Sequence, residues 1–190
     1  MKLQNIIVIL GPPGSGKGTQ SKLLVEKLGY AYFSMGGYFR EVAASNEEIK
    51  AMIDKGLIVP DAQTEAIFRA GVDKAIVNAS GLVLDGFPRT LGQIEMFKRF
   101  LNDHSDPRFH LLFLDVDKQK LINRLLLRSK IESRVDDTDI NLIGKRFDEY
   151  MAKTVPVKSY FSSNQAMIHI NGDQPVEAVH QEIMEKLGLQ

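Results

Sequence analysis

The nine residues GPPGSGKGT, 11–19, restrict what this chain can fold into more than any others. They follow a short apolar run, residues 6–10 (IIVIL), and open a stretch of helical period, residues 16–28. A glycine-rich turn between a strand and a helix N-terminus lets successive backbone N–H groups point at phosphate oxygens. The helix dipole adds partial positive charge at that point, and Lys17 brings a full one. The general pattern has Ser or Thr directly after the lysine, whereas here Gly18 intervenes before Thr19. Glycines at this spacing also arise by chance in ordinary turns, so the flanking strand and helix carry the phosphate-site reading. That reading specifies a nucleoside triphosphate but does not separate a kinase from a switch or a motor.

A strand that feeds a phosphate loop belongs to a parallel sheet, and the rest of the chain agrees. Further apolar runs fall at 31–34 (AYFS), 81–85 (GLVLD), 110–116 (HLLFLDV) and 167–170 (MIHI). Two of the runs, 6–10 and 110–116, are nearly unbroken in apolar character, as expected of parallel strands buried on both faces. Between them, residues 61–78, 90–101, 117–128 and 139–153 carry apolar residues at helical spacing. The alternation predicts an α/β fold, a parallel five-stranded sheet flanked by helices, in one domain of 190 residues. Two segments depart from it. Residues 36–78 hold three helical stretches and no strand, and residues 129–138 (SKIESRVDDT) are polar without apolar period. Excursions of this kind are where lids and substrate grips are built.

Composition removes several classes of function. Lys+Arg and Asp+Glu are both 24, and this balance argues against a nucleic-acid partner, which requires a basic face. There is no cysteine, so neither a disulfide framework nor a cysteine-ligated zinc site is available. No run approaches the ~18 apolar residues of a membrane span, and residues 6–10 are too few for a signal peptide. The expectation is a cytoplasmic protein with no membrane partner.

The remaining candidates are charged. Asp85 falls at the C-terminal end of the 81–85 run, the sheet edge where ligands bind in parallel α/β folds. There a carboxylate can hold water ligands of Mg²⁺, although Asp85-Gly86 is also an ordinary turn dipeptide. Arg89 follows Pro88 and can point over the same edge. Arg124 and Arg128, spaced i and i+4, share a helix face, while Arg134 lies in the polar segment and Arg146 on the next helix. Arg124 taken singly fits a solvated helix face, and Asp136 and Asp137 fit an N-cap and first-turn acid. His104, His110, His169 and His180 are scattered and make no base constellation. A phosphate nucleophile is already an anion and requires no base. Its transfer rests on positioning and on charge neutralisation by Lys, Arg and Mg²⁺.

With these motifs in order, the chain resembles the adenylate kinases and, more broadly, the nucleoside monophosphate kinases. GPPGSGKGTQ, GLIVPD, LDGFPRTLGQ, SRVDD and KRFDEYMAKTVPV carry the resemblance over nearly the whole length. It implies reversible phosphoryl transfer from Mg·ATP to AMP giving two ADP, by a cytoplasmic monomer whose partners are these nucleotides. It also implies a core with an acceptor-binding arm near residues 36–63 and a short lid near 129–137. Gly14, Ser15, Gly16, Lys17, Gly18 and Thr19 match the donor-phosphate loop, with Arg124, Arg128 and Gly172 near the donor. Met35, Gly36, Arg40, Val59, Gly86, Arg89 and Gln93 match the acceptor site, Gln93 being the glutamine that reads adenine. Arg134 and Arg146 match the pair that neutralises the transferring group, and Mg²⁺ is expected through water near Asp85 and Thr19.

The stretch FSMGGYFR, residues 33–40, departs from the family. Met35 replaces a threonine that contacts the base, and Gly37 replaces an aspartate. Two alternatives therefore accompany AMP phosphorylation: a monophosphate kinase of altered base choice (CMP, UMP or GMP), and a nucleotide-binding protein without turnover. Every charged residue matched to the transfer step is present, which weighs against the second.

Overall fold

The five apolar runs pair into one parallel sheet. The computed structural model describes residues 3–132, 137, 139–164 and 166–189. Its strands are β1 (Asn5–Leu10), β2 (Ala31–Ser34), β3 (Gly81–Asp85), β4 (Arg108–Asp115) and β5 (Met167–Asn171), in the order β2-β3-β1-β4-β5. Every neighbouring pair runs parallel. β1 is central, with Ile9 in register with Asp85 of β3 on one side and Leu112 of β4 on the other. That register sets the phosphate loop, which leaves β1, beside the acidic end of β3. The α/β class and the five parallel strands are those expected from the sequence.

Period-two alternation divides the core into two layers. Ile6, Val8 and Leu10 face one layer with Phe33, Phe68, Leu84, Phe87, Phe97 and Phe100. Ile7 and Ile9 face the other with Leu24, Val83, Leu112, Val179 and Ile183. In the first layer Phe68 stacks on Phe87 with ring centroids 4.1 Å apart and meets Phe33 and Phe100 edge-on. Phe68→Ala is expected to cost about 3–5 kcal/mol. Thermal unfolding should register this as a melting temperature about 10 °C lower; a shift of a degree or two would mean that the aromatic cluster collapses around the gap.

The helices are α1 (Lys17–Leu28), α2 (Met35–Ala43), α3 (Glu47–Asp54), α4 (Asp61–Ala75), α5 (Leu91–Asp103), α6 (Lys118–Glu132), α7 (Ile140–Glu149), α8 (Val155–Ser163) and α9 (Val176–Lys186). α6 runs four residues beyond the 117–128 stretch, into the polar segment. That extension contains no Gly or Pro, so nothing in it breaks a helix even without an apolar stripe. α7 is capped by Asp139, whose side chain accepts from the Asn141 N–H at 2.8 Å. The N-cap role expected at Asp136 or Asp137 thus belongs to Asp139. Between α7 and α8 the chain widens into a π-helical turn, Tyr150–Thr154, in which the Val155 N–H reaches back to the Tyr150 carbonyl. Pro156, at the start of α8, brings a ring that clashes with an ordinary helical turn before it, and the wider turn accommodates it. Residues 133–136 of the expected lid, Arg134 and Asp136 among them, lie outside the described residues.

Candidate active site

Above the C-terminal edge of the sheet lies a cleft of about 1010 Å³. Its floor is the loop that leaves β1. Gly14 (φ 82°) and Gly16 (φ 93°) take left-handed conformations that curl the loop round to α1, where Gly16 is the N-cap. The first intrahelical donor is the Gln20 N–H, to the Gly16 carbonyl at 3.1 Å. The N–H groups of Lys17, Gly18 and Thr19 therefore precede the helical ladder and face the loop opening. Lys17 folds back over the loop, its Nζ donating to the carbonyls of Gly11 (2.9 Å) and Pro12 (2.8 Å) and lying 3.3 Å from Ser15 Oγ. Burial of this ammonium lowers its pKa to about 7, against the opposing pull of Asp85; Arg89, Arg128 and Arg146 lower it further.

A lysine depressed to about 7 is largely neutral at pH 8, and a polyanion beside it restores the charge. ATP binding at pH 8 should therefore take up close to one proton. Calorimetry in buffers of different ionisation enthalpy measures this directly, and binding without uptake would contradict it.

Asp85 closes β3 beside this loop and is buried. Its Oδ2 accepts from Tyr32 Oη and Ser34 Oγ, both at 3.2 Å. Burial, and then the neighbouring carboxylate, push the Tyr32 phenol up to about 12, so it stays a donor. Among the described residues no cluster of three or more His, Asp or Glu could hold a metal ion unaided. Asp85 and Thr19 both line the cleft and offer it oxygen donors, the ligand type of a hard cation.

Arginines line the cleft from several elements. Arg89 Nε donates to the Gly86 carbonyl at 2.7 Å. Its own backbone is held on both sides, the N–H by Gln93 Oε1 (2.8 Å) and the carbonyl by Thr154 Oγ1 (3.0 Å). Gly36 sits between Arg89 and Arg40, and a side chain there would crowd the Arg89 Nη2. The pair Gly36-Gly37 thereby belongs to the first turn of α2, where Ser34 Oγ accepts from the Gly37 N–H at 3.2 Å. Met35 is 1% exposed and lines the cleft together with Val59, Gly86 and Gln93.

Arg128 Nε donates to Asp137 Oδ2 at 2.6 Å, and Arg146 Nη1 pairs with Asp137 Oδ1. Asp137 is fully buried, so it bridges two guanidinium groups rather than starting a helix. Arg124 Nη2 donates to the Gly172 carbonyl at 3.0 Å, which fastens the β5–α9 turn to α6. The cleft thus brings together Gly14, Ser15, Gly16, Lys17, Gly18, Thr19, Met35, Gly36, Arg40, Val59, Asp85, Gly86, Arg89, Gln93, Arg124, Arg128, Arg146 and Gly172, while Arg134 lies outside the described residues. The sequence alone assigns no site role to Tyr32, Asp61, Asp137 or Thr154. Asp61, Asp137 and Thr154 leave a trace only as members of GLIVPD, SRVDD and KRFDEYMAKTVPV.

A phosphate loop and an acidic strand end beneath converging arginines define a P-loop phosphotransferase. The family model described as Adenylate kinase matches residues 9–166. The chain is similar to an adenylate kinase of Flavobacterium psychrophilum, 37% identical over 94% of this chain and 96% of the relative. It is also similar to those of a Cyanothece species (36%, 95% of each) and Kosmotoga olearia (33%, 95% and 98%). The chain belongs to the adenylate kinase family. It is an enzyme, a nucleoside monophosphate kinase that moves a phosphoryl group between ATP and AMP.

Proposed function

We propose that ATP and AMP meet in this one cleft and that the phosphoryl group passes directly between them, in line, without a covalent enzyme intermediate. The carrying observation is the set of cations, Lys17, Arg40, Arg89, Arg128 and Arg146, around a single cavity. The AMP phosphate is the nucleophile and needs no base, so the work of the site is to hold two polyanions together and offset developing charge. The loop N–H groups of residues 14–19 and Lys17 hold the donor phosphates. Arg124 and Gly172 frame the donor nucleotide, and Arg128 reaches its phosphates. Arg40 and Arg89 grip the acceptor phosphate, with Met35, Gly36, Val59, Gly86 and Gln93 around its base. Arg146 turns from Asp137 toward the transferring group, a role the resemblance extends to Arg134. Mg²⁺, when bound through water at Asp85 and Thr19, offsets charge on the donor phosphates.

Residues 36–63 act as the acceptor arm and residues 129–137 as the lid. A cleft built by one chain supports a monomer as the working unit, and we read it as acting in the cytoplasm, where both nucleotides are plentiful. The test is an acceptor panel with Mg·ATP: AMP, dAMP, GMP, CMP and UMP, compared by kcat/KM. AMP should exceed GMP and UMP by at least ~10²-fold, since a site built on hydrogen bonds rejects a base that cannot make them. Comparable rates with another base would mean that Met35 and Gly37 have remade the acceptor site, and no transfer to any of them would overturn the enzymatic reading.

A further inference from the structure

We propose that Asp61 is a positioning residue which sets the base choice of the acceptor pocket by locking the Gln93 side-chain amide in one orientation. The inference rests on the reading above, in which Gln93 faces the acceptor base. Asp61 is the first residue of α4, and its carboxylate lies against the N-terminus of α5. Thr90 Oγ1 donates to it, 2.8 Å from both carboxylate oxygens, and Gln93 Nε2 donates to Oδ1 at 3.0 Å. From the other side the Arg89 N–H donates to Gln93 Oε1 at 2.8 Å.

These two contacts to the amide are of opposite sense. A carboxylate can only accept and a backbone N–H can only donate. A half-turn of the amide would set its NH₂ against an N–H and its oxygen against a carboxylate, and both bonds would become repulsions. Gln93 is 1% exposed, so water cannot offset that loss. A primary amide has two N–H donors and two oxygen lone pairs, and this network uses one of each. One acceptor position and one donor position remain, and the locked orientation fixes which end of the amide carries each. They match a base edge with an amino group beside an unprotonated ring nitrogen, as adenine has. Guanine and hypoxanthine show the reverse, a carbonyl oxygen beside a ring N–H, and are refused. Cytosine shares the adenine pattern on a smaller ring.

Gly92 supplies a second observation. It occupies the second position of α5, where glycine is a poor helix former, and a side chain there would overlap Asp61 Oδ2. The missing side chain leaves the carboxylate room to reach Gln93.

The test uses the full chain with Mg·ATP and either AMP, GMP or IMP, with kcat and KM resolved, for the wild type and for Asp61→Ala, Asp61→Asn and Gly92→Ala. Asp61→Ala should cut the AMP:GMP ratio of kcat/KM about tenfold, mainly by raising KM for AMP. Asn still offers an oxygen to Gln93 Nε2 and should restore most of the ratio. Gly92→Ala displaces the carboxylate without deleting it and should behave like Asp61→Ala. If Asp61→Ala lowers activity equally with AMP and GMP, or Gly92→Ala leaves the ratio intact, Asp61 merely ties α4 to α5 and the proposal fails. Should Asp61→Ala not fold, the other two variants decide. A wild type without preference for AMP would instead overturn the underlying reading of Gln93, before any variant is compared.

Discussion

Lys17→Met should reduce kcat/KM for phosphoryl transfer by roughly 10³-fold while leaving the protein folded and, near neutral pH, no less stable. The loss follows from what the ammonium does. Lys17 lies over the phosphate loop; in the proposed mechanism it replaces water around the donor phosphates, and a preorganised charge in such a site contributes about 3–4 kcal/mol to the transition state. The stability half follows from linkage. The folded-state pKa lies near 7, below the ordinary 10.5, so the folded protein holds this proton less tightly than the unfolded chain. A base depressed in this way opposes folding below about pH 7, and the opposition fades as pH rises toward 10.5. Methionine carries no charge and removes the penalty, so Lys17→Met should melt at or above the wild-type temperature at pH 7. It should also abolish the proton uptake on ATP binding. Near-full activity would mean that the loop N–H groups hold the donor alone; a large fall in melting temperature would mean that the bonds to Gly11 and Pro12 are structural.

The contrast between Lys17 and Asp137 shows how much of this site was legible in the sequence. The phosphate loop is a local device: strand, glycines at left-handed positions and helix N-terminus all fall within 15 residues, so the sequence contains its whole geometry. Apolar strands are equally local, and four of the five read directly as apolar runs, with AYFS the short fifth. Asp137 is different. Its partners Arg128 and Arg146 are only nine residues away on either side, but no helix or strand period relates an acid to arginines at that spacing, so in SRVDDT it has the marks of a helix-capping acid. Thr154 and Asp61 are hidden by distance as well. Their partners Arg89 and Gln93 lie 65 and 32 residues away. A hydroxyl or carboxylate that orients another side chain leaves no period, spacing or composition to detect. The π-helical turn adds to this, since one widened turn before Pro156 changes the helix face on which Thr154 emerges.

Arg89→Ala is expected to be nearly as damaging as Lys17→Met, but on the opposite substrate. The Arg89 guanidinium is held by the Gly86 carbonyl and packed beside Gly36, and its backbone is fixed by Gln93 and Thr154. These backbone bonds survive the substitution, so the loop after β3 keeps its course. What disappears, in the proposed mechanism, is a cation on the acceptor phosphate, and loss of such a charge-assisted clamp costs roughly 10²–10³-fold in kcat/KM. The loss should appear in KM for AMP as well as in kcat, with ATP affinity within about threefold of wild type. An unchanged KM for AMP would place Arg89 outside the acceptor site. A second readout comes from Lys17. Arg89 is one of the charges that lower the Lys17 pKa, so its removal should let Lys17 hold its proton to higher pH. At pH 8 the Arg89→Ala protein should then take up less than the wild-type proton on binding ATP. Full uptake would mean that the two cations do not share one electrostatic cavity, and the single-cleft mechanism would lose its main support.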